Sequence, residues 1–332
     1  MSTDWPRVRL HVVTGKGGTG KSTVAAALAL ALASHGKNVL LCEAEGRQGV
    51  ARMFDVDPLP YAEVRIATGL RRDEHAPGNV YALHIEAEAA LLEYLRMYYK
   101  LGPAGRALDR FGVTEFATTV APGVRDVLLT GKLFEAVERN SRNRGARQYD
   151  AVVFDAPPTG RITSFLNVSE SVAGLAKVGP IKQQADRMMT LFRSPRTAVH
   201  LVTLLEEMPV QETADAIDDL RRVGLPVGGV VVDQVRPRDL PDDALGPARA
   251  GSLDRGAVER GLKEAGIDSD GLLDTLLAEA VEYAERRALE DEQRAVVDQL
   301  GVPVYELEQL PSGVDLGGLY ELAAELVELG MA

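Results

Sequence analysis

Short apolar runs rich in β-branched residues recur along the chain, separated by longer stretches whose apolar positions return every three or four residues. The runs are Val8–Thr14, Asn38–Cys42, Val80–Ile85, Ala151–Asp155, Val199–Thr203, Val227–Asp233 and Val302–Leu307. Near-continuous apolar runs of this length suit strands buried on both faces, and the helical stretches between them supply the covering layers. The pattern predicts an α/β fold, a doubly wound and mostly parallel sheet. The first helical stretch, rich in alanine and leucine, stops at Gly36, and Lys37 opens the next strand.

Between Glu86 and Asn143 the alternation is interrupted and no strong strand is found. Leu91, Tyr94, Leu95, Tyr98 and Tyr99 recur there at helical spacing, as an ordinary helix–helix core or as the lining of a groove. Further helices are expected over Val124–Arg139 and Val172–Phe192, the second interrupted at Pro180. The expectation is one domain over 1–332, with a helical subdomain inserted at 86–145 and at about 161–195. Arg236–Leu253 carries Pro237, Pro241 and Pro247 and reads as a long surface loop. A long helix is expected from Leu273 to Leu300, closed by Gly301. The Leu319–Leu329 tail reads as an acidic helix, with Glu321, Glu325 and Glu328.

The chemistry concentrates in Gly15-Lys16-Gly17-Gly18-Thr19-Gly20-Lys21-Ser22-Thr23, set between the first strand and the first helix. Strand, glycine loop and helix form the context in which G-x-x-x-x-G-K-S becomes a phosphate site, the P-loop. Glycines let consecutive backbone N–H groups turn inward, and the helix N-terminus adds positive potential. Lys21 reaches the β/γ-phosphates, the Ser22 hydroxyl suits Mg²⁺, and Thr23 is close to the α-phosphate. Asp155 ends a buried strand and is the expected second Mg²⁺ ligand. The chain is read as binding a nucleoside triphosphate.

Composition narrows the class. Lys plus Arg is 37 against 49 for Asp plus Glu, a formal net charge of −12. That balance is wrong for a protein whose main task is coating nucleic acid. The single cysteine, Cys42, leaves no thiolate metal cluster within a chain, so no zinc site is expected. The amino terminus lacks a basic region followed by a long apolar core, and no apolar run is long enough for a membrane helix. The expected address is the cytoplasm.

Lys16-Gly17-Gly18-Thr19-Gly20-Lys21-Ser22 resembles the deviant Walker A pattern K-G-G-x-G-K-[ST]. In that group the extra lysine reaches the partner subunit's nucleotide, so the resemblance implies a dimer around two ATP molecules. Asp155-Ala156-Pro157-Pro158-Thr159-Gly160 is similar to switch II, D-T-A-P-T-G, of the arsenical-pump and tail-anchored-protein-targeting ATPases. Arg161 stands where histidine is common there. Pro122-Gly123 with Asp126 is similar to that family's P-G-x-x-E, and Thr203–Met208 followed by Glu212-Thr213 to its T-x-P-E…E-T. In detail the chain resembles the actinobacterial members, which tend to come as paralogous pairs.

The family's switch I, D-P-A-H-S, falls on Glu45-Gly46-Arg47-Gln48-Gly49, so Glu45 takes the place of the aspartate that serves the attacking water. Its extra methylene predicts slow or partner-dependent hydrolysis, because positioning dominates phosphoryl transfer. Glu43, at the strand end, is the other candidate. Asp233 stands where the family's asparagine reads adenine, which leaves ATP as the expected nucleotide but loosens the choice against GTP. The resemblance implies Mg²⁺-dependent ATP hydrolysis, with Lys16, Lys21, Glu45 and Asp155 as catalytic residues. Gly46, Pro158, Thr159 and Gly160 belong to the switch segments. The partners implied are a second subunit, identical or paralogous, and a protein client of unknown identity, membrane proteins included. The alternatives are a weakly hydrolysing regulatory subunit of a heterodimer and a partitioning-type ATPase; the acidic charge and tail argue against the latter.

Overall fold

A computed structural model describes residues 3–44, 48–71, 76–90, 92–93, 122–140, 145–168, 180–268, 271–311 and 313–332. Among them, eight strands form one sheet: β1 (Leu10–Gly15), β2 (Val39–Ala44), β3 (Val64–Thr68), β4 (Asn79–Ile85), β5 (Ala151–Asp155), β6 (Thr197–Thr203), β7 (Val227–Val235) and β8 (Val304–Glu308). Their order is β3-β4-β2-β5-β1-β6-β7-β8, and every pair is parallel except β3 with β4. From β1 the chain crosses β5 to reach β2, then returns to fill both flanks of β1. The crevice where a parallel sheet changes direction, outside the strand carboxyl ends, is where such sheets take ligands.

Apolar layers cover both faces of the sheet. The Lys21–Ser34 helix lies wholly in one of them, with Val24 to Ser34 all buried between the strands and the Leu316–Glu328 helix. A helix apolar all round belongs in a core, and its alanines let it sit close to both neighbours. No helix among the described residues is long and apolar enough to cross a membrane.

Two expectations are corrected. The β3 strand was not anticipated: it is a five-residue antiparallel edge strand with half-exposed positions, so it lacks the apolar run that marked the others. Arg236–Leu253 is not a plain loop, because Asp242–Arg249 is helical with Pro247 inside it. Pro241 caps that helix, and in so short an element Pro247 removes one backbone bond without preventing the turns. Pro180 opens the Pro180–Phe192 helix. The tyrosines at 94, 98 and 99 and the segment 169–179 lie outside the described residues.

Candidate nucleotide site

β1 delivers the glycine loop to the carboxyl edge of the sheet. Gly15 pairs with Val202 of β6 so closely that a Cβ there would meet the Val202 carbonyl oxygen at 2.2 Å. Gly20 adopts φ +81°, in the left-handed region, and a Cβ would lie 1.9 Å from the Asp233 carboxylate. Both positions therefore require glycine. The loop closes on the Lys16 carbonyl, which accepts from the Thr19 hydroxyl at 2.9 Å and the Lys21 ammonium at 3.1 Å.

The first turn of the Lys21–Ser34 helix places Ser22 against β5, and its hydroxyl donates to Asp155 Oδ2 at 2.5 Å. Asp155 is 9% exposed. Burial pushes its pKa up to about 6, and the neighbouring charge of Glu43 acts in the same direction, against the Ser22 hydrogen bond and Lys21. A hydroxyl and an anion short of positive charge, beside the glycine loop, form a donor set that fits Mg²⁺, which takes one or two protein oxygens and fills its shell with phosphate and water. The Asp155–Gly160 segment is anchored at its start: Ala156 N–H donates to the Val13 carbonyl and the Thr14 hydroxyl to that of Pro157, at 2.9 and 2.7 Å. The Thr159–Leu166 helix then begins at Thr159.

Lys16 points its ammonium to Glu212 Oε1 at 3.0 Å, with both side chains about one-third exposed. Thr23 Oγ1 lies 3.9 Å from Met53 Sδ. Asp233, 6% exposed, packs against Gly20, and burial raises its pKa. Gly15 to Thr23, Asp155, Pro158 to Gly160 and Asp233 all come from segments at the carboxyl ends of β1, β5 and β7. Glu45 and Gly46 lie outside the described residues. Glu43 is buried, and its carboxylate accepts from the Gly49 N–H at 2.7 Å, a structural commitment unlike that of a free base.

Sequence reasoning missed His84, which β4 sets beside Glu43, and the pairing of Lys16 with Glu212. Only the strand register could have found the first. It also missed that Arg161 and Asp126, noted separately as departures, approach each other at 3.7 Å.

Residues 8–195 match the family model described as anion-transporting ATPase. ATPase BagA of Mycobacterium tuberculosis is 51% identical over 339 residues, 99% of this chain and 97% of that relative. The arsenical pump-driving ATPase of Escherichia coli is 29% identical over 227 residues, 68% of this chain and 34% of its own length. ATPase GET3B of Arabidopsis thaliana is 23% identical over 277 residues, 69% of this chain and 64% of its own.

Proposed function

The chain belongs to the anion-transporting ATPase family, and from that premise we propose that this ATPase is a dimeric conformational switch that reports its nucleotide state to a protein client. ATP lies with its phosphates in the Gly15–Thr23 cradle and Lys21 on the β/γ-phosphates. Ser22 and Asp155 hold Mg²⁺, which supplies charge neutralisation between the phosphates when bound. Glu45 orients the attacking water, with Gly46 beside it in the same segment. Pro158, Thr159 and Gly160 respond to the γ-phosphate, and Asp233 stands at the base end of the site.

The observation that carries this reading is the position of Lys16. Among the described residues it pairs with Glu212, in a pair open to solvent. Such pairs contribute about 0–1 kcal/mol, so the ammonium is cheaply released to a phosphate of the opposite subunit. A route outward is supported by the ion pair between Arg161, on the Thr159–Leu166 helix, and Asp126 on the Pro122–Glu138 helix. The subdomain expected at 86–145 and at about 161–195 is the client-facing part, the client being a protein and membrane proteins included. Nucleic acid and zinc have no part in it, on the grounds of charge and the single cysteine, and the compartment is the cytoplasm.

A second reading is favoured by two residues, Glu45 and Asp233. Both depart from the family pattern where water and base are handled, as expected of a weakly hydrolysing subunit paired with a more active paralogue. Light scattering with and without Mg·ATP, together with steady-state hydrolysis, separates these readings. Wild type should dimerise with nucleotide, while Lys16→Ala should bind ATP but lose turnover or closure. Normal turnover and normal dimerisation in Lys16→Ala would refute the role across the interface. Equal, appreciable hydrolysis by wild type and Glu45→Gln would remove Glu45 from the mechanism.

A further inference from the structure

Three buried titratable side chains stand side by side across the sheet, next to the phosphate loop. Glu43 on β2 is in register with His84 on β4 and, on its other side, with Asp155 on β5. Glu43 is 5% and His84 3% exposed. One carboxylate oxygen of Glu43, Oε1, accepts from the Gly49 backbone at 2.7 Å. The other, Oε2, has no hydrogen-bond partner, and neither has the His84 Nδ1 that lies 3.7 Å from it.

A carboxylate taken out of water needs compensation, and half of this one has none. On its other side it stands one strand spacing from Asp155, so two buried carboxylates share this end of the site. A cation between Ser22 and Asp155 supplies the missing counter-charge to both carboxylates at once. The Gly49–Met53 helix is meanwhile tethered at both ends to this region: Gly49 to Glu43, and Met53 to Thr23 of the phosphate loop.

We propose that Glu43, backed by His84, is a positioning residue that couples the metal end of the nucleotide site to the Gly49–Met53 helix. One property, its charge, belongs to the outer shell of the metal beside Asp155. The other, its reach, holds Gly49. This inference rests on the Mg·ATP reading given above.

The test uses the full chain, a fluorescent ATP analogue titrated at rising Mg²⁺ and in EDTA, and amide exchange of the segment 49–54. Glu43→Gln keeps an acceptor for Gly49 and discards the charge. Loss of an outer-shell partner weakens metal binding by about 10–100-fold, so half-saturating Mg²⁺ should rise at least about tenfold, with binding in EDTA unchanged. Glu43→Asp keeps the charge but is one methylene short of Gly49. Its Mg²⁺ dependence should stay within about twofold of wild type, while exchange at Gly49 accelerates. Wild-type Mg²⁺ dependence in Glu43→Gln overturns the proposal, and so does unchanged exchange in Glu43→Asp. Should Glu43→Gln fail to fold, the Glu43→Asp exchange decides alone. Wild-type protein whose nucleotide binding ignores Mg²⁺ overturns the Mg·ATP reading instead.

Discussion

Acidification from pH 7 to pH 5 should remove at least about 2 kcal/mol of stability through two buried histidines. His11 on β1 and His200 on β6 are fully buried, with rings stacked at 13° and 5.3 Å between centroids. Gly229 donates its N–H to His200 Nδ1 at 3.2 Å, so that nitrogen carries no proton. The His200 proton is therefore on Nε2 and is given to His11 Nδ1, 3.1 Å away. His11 keeps its own proton on Nε2, which meets no acceptor. The arrangement has room for two neutral rings and for no imidazolium.

Burial holds both pKa values down, that of His200 to about 3, with the mutual repulsion and Lys37 adding to the effect at His11. The sign follows from which state takes the protons. Below the unfolded value of about 6.5 the unfolded chain charges both rings while the folded chain does not, so stability present at pH 7 is lost as pH falls. By pH 5 the His200 ring contributes about 1.5 pH units at about 1.36 kcal/mol per unit, or about 2 kcal/mol, and His11 adds to it in the same direction. Urea unfolding at pH 7, 6 and 5 measures it, comparing wild type with a His11→Leu/His200→Gln variant. The variant should start less stable but lose at least about 2 kcal/mol less over the interval. Carboxylates titrate in both proteins and cancel. A difference below about 1 kcal/mol would refute the neutral-pair assignment.

Lys21→Ala should abolish nucleotide binding, and unchanged ATP affinity by calorimetry would defeat the phosphate-loop assignment. Gly20→Ala should also lose binding and lower the melting temperature, because the added methyl meets the Asp233 carboxylate in a left-handed backbone position. Wild-type binding by that variant would show that the loop tolerates relaxation there. Arg139 is 5% exposed in its side chain and pairs with Glu135 and Glu63, joining the Pro122–Glu138 helix to the segment before β3. Arg139→Ala should cost about 1.5–3 kcal/mol, since both carboxylates lose their guanidinium while Glu63 keeps the Tyr149 hydroxyl and Glu135 keeps Lys132, and a loss under about 1 kcal/mol in urea unfolding would contradict that.

The strand–glycine loop–helix junction at Gly15–Thr23 was legible in the chain because its pattern is local. Consecutive glycines, a lysine and a hydroxyl within nine residues carry their meaning wherever a strand runs into a helix. Buried parallel strands were legible for a related reason: both faces are covered, so the apolar run is unbroken, as in Ala151-Val152-Val153-Phe154. The edge strand Val64–Thr68 has one side to solvent and no such mark. Pro247 misdirected the reading of Asp242–Arg249, because proline weakens a helix by an amount that tertiary packing overrides; Ala248 beside it is fully buried.

By itself the amino-acid sequence determined the sheet class, the strand–glycine loop–helix junction and the kinship, all of which depend on neighbours along the chain. Partnerships between distant segments were decided only by the tertiary structure. Lys16 with Glu212, Ser22 with Asp155, His11 with His200, and the row of His84, Glu43 and Asp155 each depend on strand order and register. A slip of one residue in a strand turns its own side chains to the opposite face, and no local pattern records which register is adopted.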